Sequence, residues 1–330
     1  MPITGVKSIV MTVADLDRSI DFYTTVLSFT KIAVGEASAS AEASPAEKRQ
    51  IFGGEAADES SLPAAIDPQL RVVELQLGNE TIELTEFITL KGRPMPPDSR
   101  SNDRWFQHIA IVVADLDRAY QHLRQHEIVQ ISPSPQTLPD WNPVAGGIQS
   151  FYFQDPDGHN LELIHFPAAK GNPKWQRPTD ALFLGIDHTA IVVANTAASR
   201  AFYCDLLGME LKQESENSGV EQERLSGVAN AKVRISSLAA PAGIGIELLE
   251  YLEPTDGRSI PTDTELNDIW CWQTKIVVAA MMETIGKLNP SQFSLASAEV
   301  PQSDPSALEL DDRQFLVRDP DGHTIRLTNC

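Results

Sequence analysis

The sequence is poor in cysteine, in positive charge and in long apolar runs. Its 330 residues include three cysteines, Cys204, Cys271 and Cys330. Three widely spaced thiols cannot build a disulfide framework, and none has the close pairing of a zinc knuckle. Cys271, between two tryptophans, is expected to be a buried thiol. Lys and Arg number 26 against 46 Asp and Glu, a formal net charge of −20. A phosphate backbone needs clustered cations, so nucleic acid is not an expected partner, and neither is an anionic membrane surface. No apolar run approaches the roughly 20 residues of a transmembrane helix. The opening residues, MPITGVKSIV, lack the basic and apolar regions of a secretion signal, so a reducing cytoplasm is the expected location. A nucleophile elbow, a phosphate loop and a dinucleotide fingerprint are also missing.

What the sequence does have is repetition. DPDGH occurs at residues 155–159 and again at 319–323, each time between two apolar runs. Alone, the phrase means strand, tight turn, strand, because Pro presets φ and Gly accepts a positive one. Its histidines, His159 and His323, are expected at exposed turn tips. The wider repeat is more informative. SIVMTVADLDRSIDFY from Ser8, HIAIVVADLDRAYQHL from His108, HTAIVVANTAASRAFY from His188 and QTKIVVAAMMETIGKL from Gln273 align without gaps. Each is a β-branched run followed by a helix-period stretch, with an Asp, Asn or Thr cap in three of them. Each copy later reaches a strand with a polar centre: TIELTEF, NLELIHF, GIELLEY and TIRLTN. The aligned centres are Glu83, Glu162, Glu247 and Arg326.

The chain therefore divides into four modules, at 1–91, 104–166, 183–254 and 268–330. Pro-rich joints lie between them, and a linker at 167–182 separates an N-terminal half, 1–166, from a C-terminal half, 183–330. Residues from about 35 to 68 are rich in Ala, Ser, Glu and Gly and are expected to be a surface insertion in the first module.

First strands opening on His or Gln, FYTTVLSF and FYCDLLGM on the helices, and DPDGHNLEL near the end resemble the vicinal oxygen chelate superfamily. This superfamily includes glyoxalases, bleomycin resistance proteins and extradiol dioxygenases. The resemblance covers all four modules. It implies an α+β fold of four βαβββ modules that pair into two cup-shaped mixed sheets. It places metal ligands at the start of each first strand and at the centre of each last one. Those positions are Ser8 and Glu83, His108 and Glu162, His188 and Glu247, and Gln273 and Arg326. Serine is a poor ligand for a divalent ion, and arginine cannot be one.

If neighbouring modules pair, each half holds part of a metal site. If module 2 pairs with 3 and module 1 with 4, one cup collects His108, Glu162, His188 and Glu247. The sequence leaves both pairings open. Nitrogen and carboxylate donors suit one divalent ion: Zn, Ni, Fe, Co or Mn. The implied chemistry is of glyoxalase or epimerase type, a lyase or isomerase acting on a small oxygen-rich carbonyl compound. It would pass through a metal-chelated enediolate, with Glu162 or Glu247 moving the proton. One alternative is an Fe(II) ring-cleaving dioxygenase, for which Tyr251 is the candidate helper tyrosine. Another is a metal-free protein that binds a drug or metabolite. Glu83, Gln273 and Arg326 are secondary or substrate-contact candidates. Trp105, Trp270 and Trp272 read as rim packing. A monomer closing both cups is feasible, as is a homodimer.

Overall fold

In the computed structural model, which describes residues 3–38, 69–287, 294–297 and 314–329, the modules form in the order the repeat predicts. The first contains β1 (Ile3–Thr12), β2 (Thr30–Ser38), β3 (Gln69–Leu77) and β4 (Glu80–Phe87). The second contains β5 (Gln107–Val113), the short β6 (Val129–Gln130) and β7 (Gln136–Thr137), β8 (Gln149–Gln154) and β9 (Asn160–His165). The third contains β10 (Phe183–Val192), β11 (Glu210–Asn217), β12 (Lys232–Ala239) and β13 (Gly245–Glu253). The fourth contains β14 (Trp272–Val278), β15 (Ser294–Ser297), β16 (Phe315–Arg318) and β17 (Thr324–Asn329). Residues 35–38, expected in the insertion, belong to β2, and the rest of that insertion, 39–68, lies outside the described residues.

Helices α1 (Leu16–Asp21), α2 (Leu116–Leu123) and α3 (Thr196–Arg200) follow the first strands of modules 1 to 3. Each starts at a polar cap. Asp15 accepts from the Arg18 N–H at 3.0 Å, Asp115 from Arg118 at 2.9 Å and Asn195 from Ala198 at 3.0 Å. α4 (Val220–Ser226) is an extra helix before β12, and α5 (Met281–Gly286) starts at Ala280, which has no side-chain oxygen to offer.

The strand order settles the pairing. One sheet runs β15-β16-β17-β14-β1-β4-β3-β2, and the other runs β11-β12-β13-β10-β5-β9-β8-β6. At their centres β1 lies antiparallel to β14 and β5 antiparallel to β10. Module 1 therefore pairs with module 4, and module 2 with module 3. The linker at 167–182 does not separate two sheets, because β9 and β10 on either side of it belong to the same one. One face of both sheets feeds a single core, with Ile9, Ile82, Ile109, Phe151, Ile246 and Leu327 among its buried members. The opposite faces form the cups.

Modules adjacent in sequence are latched through the repeated turn. Asp155 and His159 are 4% and 0% exposed, so the expectation of solvent-facing turn histidines fails. His159 Nδ1 lies 2.8 Å from Asp155, its Nε2 lies 3.0 Å from the Ile269 carbonyl, and the Tyr23 hydroxyl donates to Asp155 at 3.1 Å. The second copy repeats the tyrosine contact, with Tyr203 donating to Asp319 at 3.0 Å, while its His323 lies 2.9 Å from the Val192 carbonyl of module 3. The FY and DPDGH motifs are thus two halves of one buried contact between modules.

The Pro-rich joints cross between the sheets as a second pair of latches. Arg93 forks onto Asp268 at 2.6 Å and lies over Trp270, while Arg258 forks onto Asp103 at 2.6 Å and lies over Trp105. The preceding glycines are required for this approach. A Cβ on Gly92 would sit 1.9 Å from the Asn267 carbonyl oxygen, and one on Gly257 1.9 Å from that of Asn102. Trp105, Trp270 and Trp272 are buried packing residues, as expected, and burial raises the pKa of the buried Cys271 thiol.

The Asp155–His159 pair gives stability a pH dependence. Burial disfavours both charges, yet their mutual attraction leaves Asp155 with a lowered pKa and His159 with a raised one. The Asp155 contribution is lost as pH falls below its unfolded value of about 3.9 and through the lower folded one. The His159 contribution is complete below about 6.5 and is lost as pH rises through the raised folded value. Stability is expected to be greatest between these limits. Asp155→Ala should cost about 3–5 kcal/mol and flatten the fall above pH 6.5, as read from urea denaturation midpoints across pH.

Candidate metal centre

The cup shared by modules 2 and 3 brings four polar side chains onto one face. Across the antiparallel β5–β10 pair, His108 stands opposite Ala190 and His188 opposite Ala110. On the outer flanks Ala110 is opposite Glu162 of β9, and Ala190 is opposite Glu247 of β13. Each alanine, fully buried, lies between an imidazole and a carboxylate. Its small size gives them room to converge.

His108 and His188 are 1% and 5% exposed, and Glu162 is 5% exposed. Glu162 Oε2 lies 3.1 Å from His108 Nε2 and 3.6 Å from His188 Nε2, and Glu247 Oε2 lies 3.4 Å from His188 Nε2. Among the described residues, His108, Glu162 and His188 bring their ligand atoms within 4.8 Å of one another. Burial raises the Glu162 pKa and the two imidazoles lower it more, leaving a net fall. Burial works against the His188 cation, but Glu247, Asp187 and Glu162 raise its pKa well above the usual range.

The groups behind the cluster aim it. The Ser150 hydroxyl donates to Glu162, and Ser237 donates to Glu247 at 2.5 Å. His188 Nδ1 lies 3.1 Å from Asp187, and Asp187 accepts from the Trp175 indole at 2.6 Å. Asp187 is the extra residue of a bulge in β10, which turns its carboxylate toward the neighbouring ring. Held at Nδ1, the His188 ring presents Nε2 to the two glutamates.

The donor set fits a divalent ion. Among the described residues, His108 Nδ1, His108 Nε2 and His188 Nε2 are buried with no aligned hydrogen-bond partner, an arrangement that costs stability in a protein with nothing to bind there. Two imidazoles and a carboxylate converging on one point are the ligands such an ion takes. Above them opens a cavity of about 890 Å³, whose walls include Tyr152, Leu249 and Lys170. Lys170 donates to the Val144 carbonyl at 3.0 Å, joining two loops of the rim.

The second cup is built differently. Ser8, Glu83, Gln273 and Arg326 take the equivalent positions, and Val10 and Lys275 replace the two alanines. Arg326 donates to Gln273 at 2.8 Å and to Glu83 at 3.4 Å, and Lys275 lies 3.7 Å from Glu83. Burial depresses the Lys275 pKa, only partly offset by Glu83. An internal ion pair thus fills the place of a ligand set. Glu83→Ala would leave two facing cations, and it is expected to cost about 1–3 kcal/mol in a urea melt while leaving metal content at the wild-type value.

Several residues of the first cup were missed from sequence. Ser150, Ser237 and Asp187 are unremarkable polar residues until strand register and a bulge bring them to the cluster. Lys275 did leave a signal, because the third residue of the aligned strands is Ala in modules 2 and 3 and Lys in module 4. Tyr251 does not line the cavity and packs instead against the cluster that contains Leu225, Val233 and Leu249. Tyr152, with its ring centroid 4.9 Å from that of His108, is the tyrosine at the cavity.

Comparison with known proteins agrees with this architecture. A curated relative, 2-epi-5-epi-valiolone epimerase from Actinomyces sp., is 32% identical over 168 residues, which is 50% of this chain and 80% of the relative. The crystal structure of glyoxalase I from Zea mays covers 98% of this chain and 92% of its own, with a TM-score of 0.61 and 16% identity. A putative dioxygenase from Bacillus subtilis covers 99% and 86%, with a TM-score of 0.57 and 12% identity. At those identities the two structures show a common fold. The family model described as Glyoxalase/Bleomycin resistance protein/Dioxygenase superfamily matches residues 5–163 and 185–327, and the chain belongs to that superfamily.

Proposed function

We propose that the protein is a metal-dependent epimerase or isomerase acting at the carbon beside a carbonyl in a small, oxygen-rich substrate. The observation that carries this reading is the buried His108–Glu162–His188 cluster, with Glu247 beside it, at the floor of a cavity. The epimerase among its relatives supports the reaction class. His108, Glu162 and His188 would hold the ion, with Glu247 as a fourth ligand or a neighbour. A divalent ion bound there would act as a Lewis acid on the substrate carbonyl.

The chain's own residues would handle the proton. Glu247 is the more open of the two carboxylates, with its side chain 20% exposed against 6% for Glu162, and Ser237 steadies one of its oxygens. It would take the proton from the α-carbon, leaving the electron pair on the carbonyl oxygen. Glu162 and Glu247 come from strands on opposite flanks of the β5–β10 pair. With Glu162 holding the ion, Glu247 would be the carboxylate that moves the proton, and epimerisation would follow when the carbon takes a proton back on its opposite face. Apolar residues of the wall, Leu249 and Ile164 among them, would shield the reacting carbon, while the part-exposed Glu247 would exchange its acquired proton with solvent.

The test is proton exchange. Metal-loaded protein in deuterated water is expected to exchange the α-hydrogen of members of a panel of α-hydroxy ketones, followed by proton NMR. No exchange with any metal and any member would overturn the reading. A second reading rests on the ligand count, since two histidines and one carboxylate also make the iron site of oxygenases. It requires iron as the active ion, and oxygen uptake with a catechol would favour it. Both cups close within one chain, so a monomer would suffice, and the unpaired Cys204 and Cys271 thiols suit a reducing cytoplasm.

A further inference from the structure

Gln222 is a buried polar side chain on the wall of the cavity. It is 4% exposed, its Oε1 has no hydrogen-bond partner among the described residues, and its cavity also holds Glu162, His188 and Glu247. Buried side-chain oxygens rarely lack a partner, and one on a cavity wall can be completed by what enters the cavity. Its neighbour Asn217 cannot offer the same acceptor, because the Asn217 carbonyl oxygen accepts from Asn142 at 2.7 Å.

The position of Gln222 relative to the metal ligands follows from its helix. Ser132 donates to the Leu225 carbonyl at 2.7 Å and accepts from the Tyr152 backbone N–H at 2.8 Å. This ties α4 to β8 beside Tyr152, whose ring packs against His108. Gln222 lies three residues before Leu225, about 4.5 Å along the helix axis and on the same side. Leu225, Ile235 and Leu249 line the same cavity. The cavity therefore has a polar floor at the metal ligands, an apolar wall, and a second hydrogen-bonding point at Gln222.

Resting on the epimerase reading, we propose that Gln222 is a specificity-determining residue that binds a hydroxyl group on the substrate away from the reacting carbon. The chemistry selects a hydrogen-bond donor, and the donor an oxygen-rich substrate carries is a hydroxyl. An amide oxygen needs a donor, which a carboxylate or a fully ionised phosphate cannot supply. A hydroxyl both donates and accepts, so it satisfies either end of the amide. The substrate class this implies is a ketone with at least one hydroxyl beyond the reacting pair, rather than a short ketoaldehyde or a simple hydroxy ketone.

The experiment uses two probes, scyllo-inosose, which carries hydroxyls around its ring, and 2-hydroxycyclohexanone, which has only the reacting pair. Binding to the metal-loaded protein is measured by calorimetry for wild type, Gln222→Leu and Gln222→Met, with α-proton exchange followed by NMR in parallel. Both variants are expected to keep wild-type metal content and to melt at or above the wild-type temperature, since an unsatisfied oxygen is removed. They are expected to bind scyllo-inosose about 10–100-fold more weakly and 2-hydroxycyclohexanone within about twofold of wild type. Equal losses on both probes, or no loss on scyllo-inosose, would overturn the role of Gln222. So would failure of the wild type to bind scyllo-inosose more tightly than 2-hydroxycyclohexanone. A lowered melting temperature with unchanged probe selectivity would make Gln222 structural, again overturning it. Selective binding without proton exchange would leave Gln222 in place and remove the epimerase reading.

Discussion

Glu247→Gln is expected to retain its metal and lose activity by about 10²–10⁴-fold, the range a positioned general base contributes. The substitution keeps the length and most of the hydrogen bonding of the side chain, so Ser237 still has an oxygen to donate to. What it removes is the group that accepts a proton. The three residues whose ligand atoms cluster most tightly are His108, Glu162 and His188, and none of them is altered. The check is kcat/KM together with metal content. Activity lost with metal retained assigns Glu247 to proton transfer. Activity and metal lost together would make it an essential ligand instead.

His188→Ala is expected to have a still larger effect, removing both the metal and all measurable turnover. His188 contacts both glutamates, and Asp187 holds its other nitrogen. Its loss would leave His108 and Glu162 as a pair, too few ligands to hold a divalent ion tightly. A second consequence concerns stability. A bound ion stabilises the folded state by mass action, and without it the buried His108 and His188 nitrogens go unpaired. Chelator is therefore expected to lower the melting temperature of the wild type and to leave that of His188→Ala unchanged. Thermal melts with and without chelator check this directly.

The sequence made the modules legible because their signals are local. β-branched runs, caps at Asp15, Asp115 and Asn195, and the DPDG turns each specify structure over a few residues. His108, Glu162, His188 and Glu247 were legible because they fall at aligned positions of a repeat. The pairing of modules was not, since it depends on which first strands meet across a sheet and the joints are of similar length. Features that distinguish the pairing act at long range. One is the reach of Arg93 to Asp268 and of Arg258 to Asp103, with Gly92 and Gly257 pressed against backbone. The burial of His159 and His323 was hidden for the same reason, because a turn that looks exposed in sequence is covered by a neighbouring module. The bulge that presents Asp187 to His188, and the isolation of Gln222, depend on register and on what lines a cavity.

The difference between the two cups also has a physical explanation in two strand positions. Ala110 and Ala190 leave room for imidazoles in one cup. In the other, Val10 occupies one such place and Lys275 the other, and Arg326 and Glu83 neutralise part of the charge. Among the described residues, one candidate ligand set in a chain of four modules is the result.

The central claim is that modules 2 and 3 build that single site between them. Metal content of protein purified without chelators or a histidine tag tests it most directly, by elemental mass spectrometry on wild type, His108→Ala and His188→Ala. The account predicts about one ion per chain in the wild type and none in either variant, because the two histidines from different modules serve the same ion. Two ions per chain, with each substitution removing one, would contradict it, as would a wild type that takes up no metal at all.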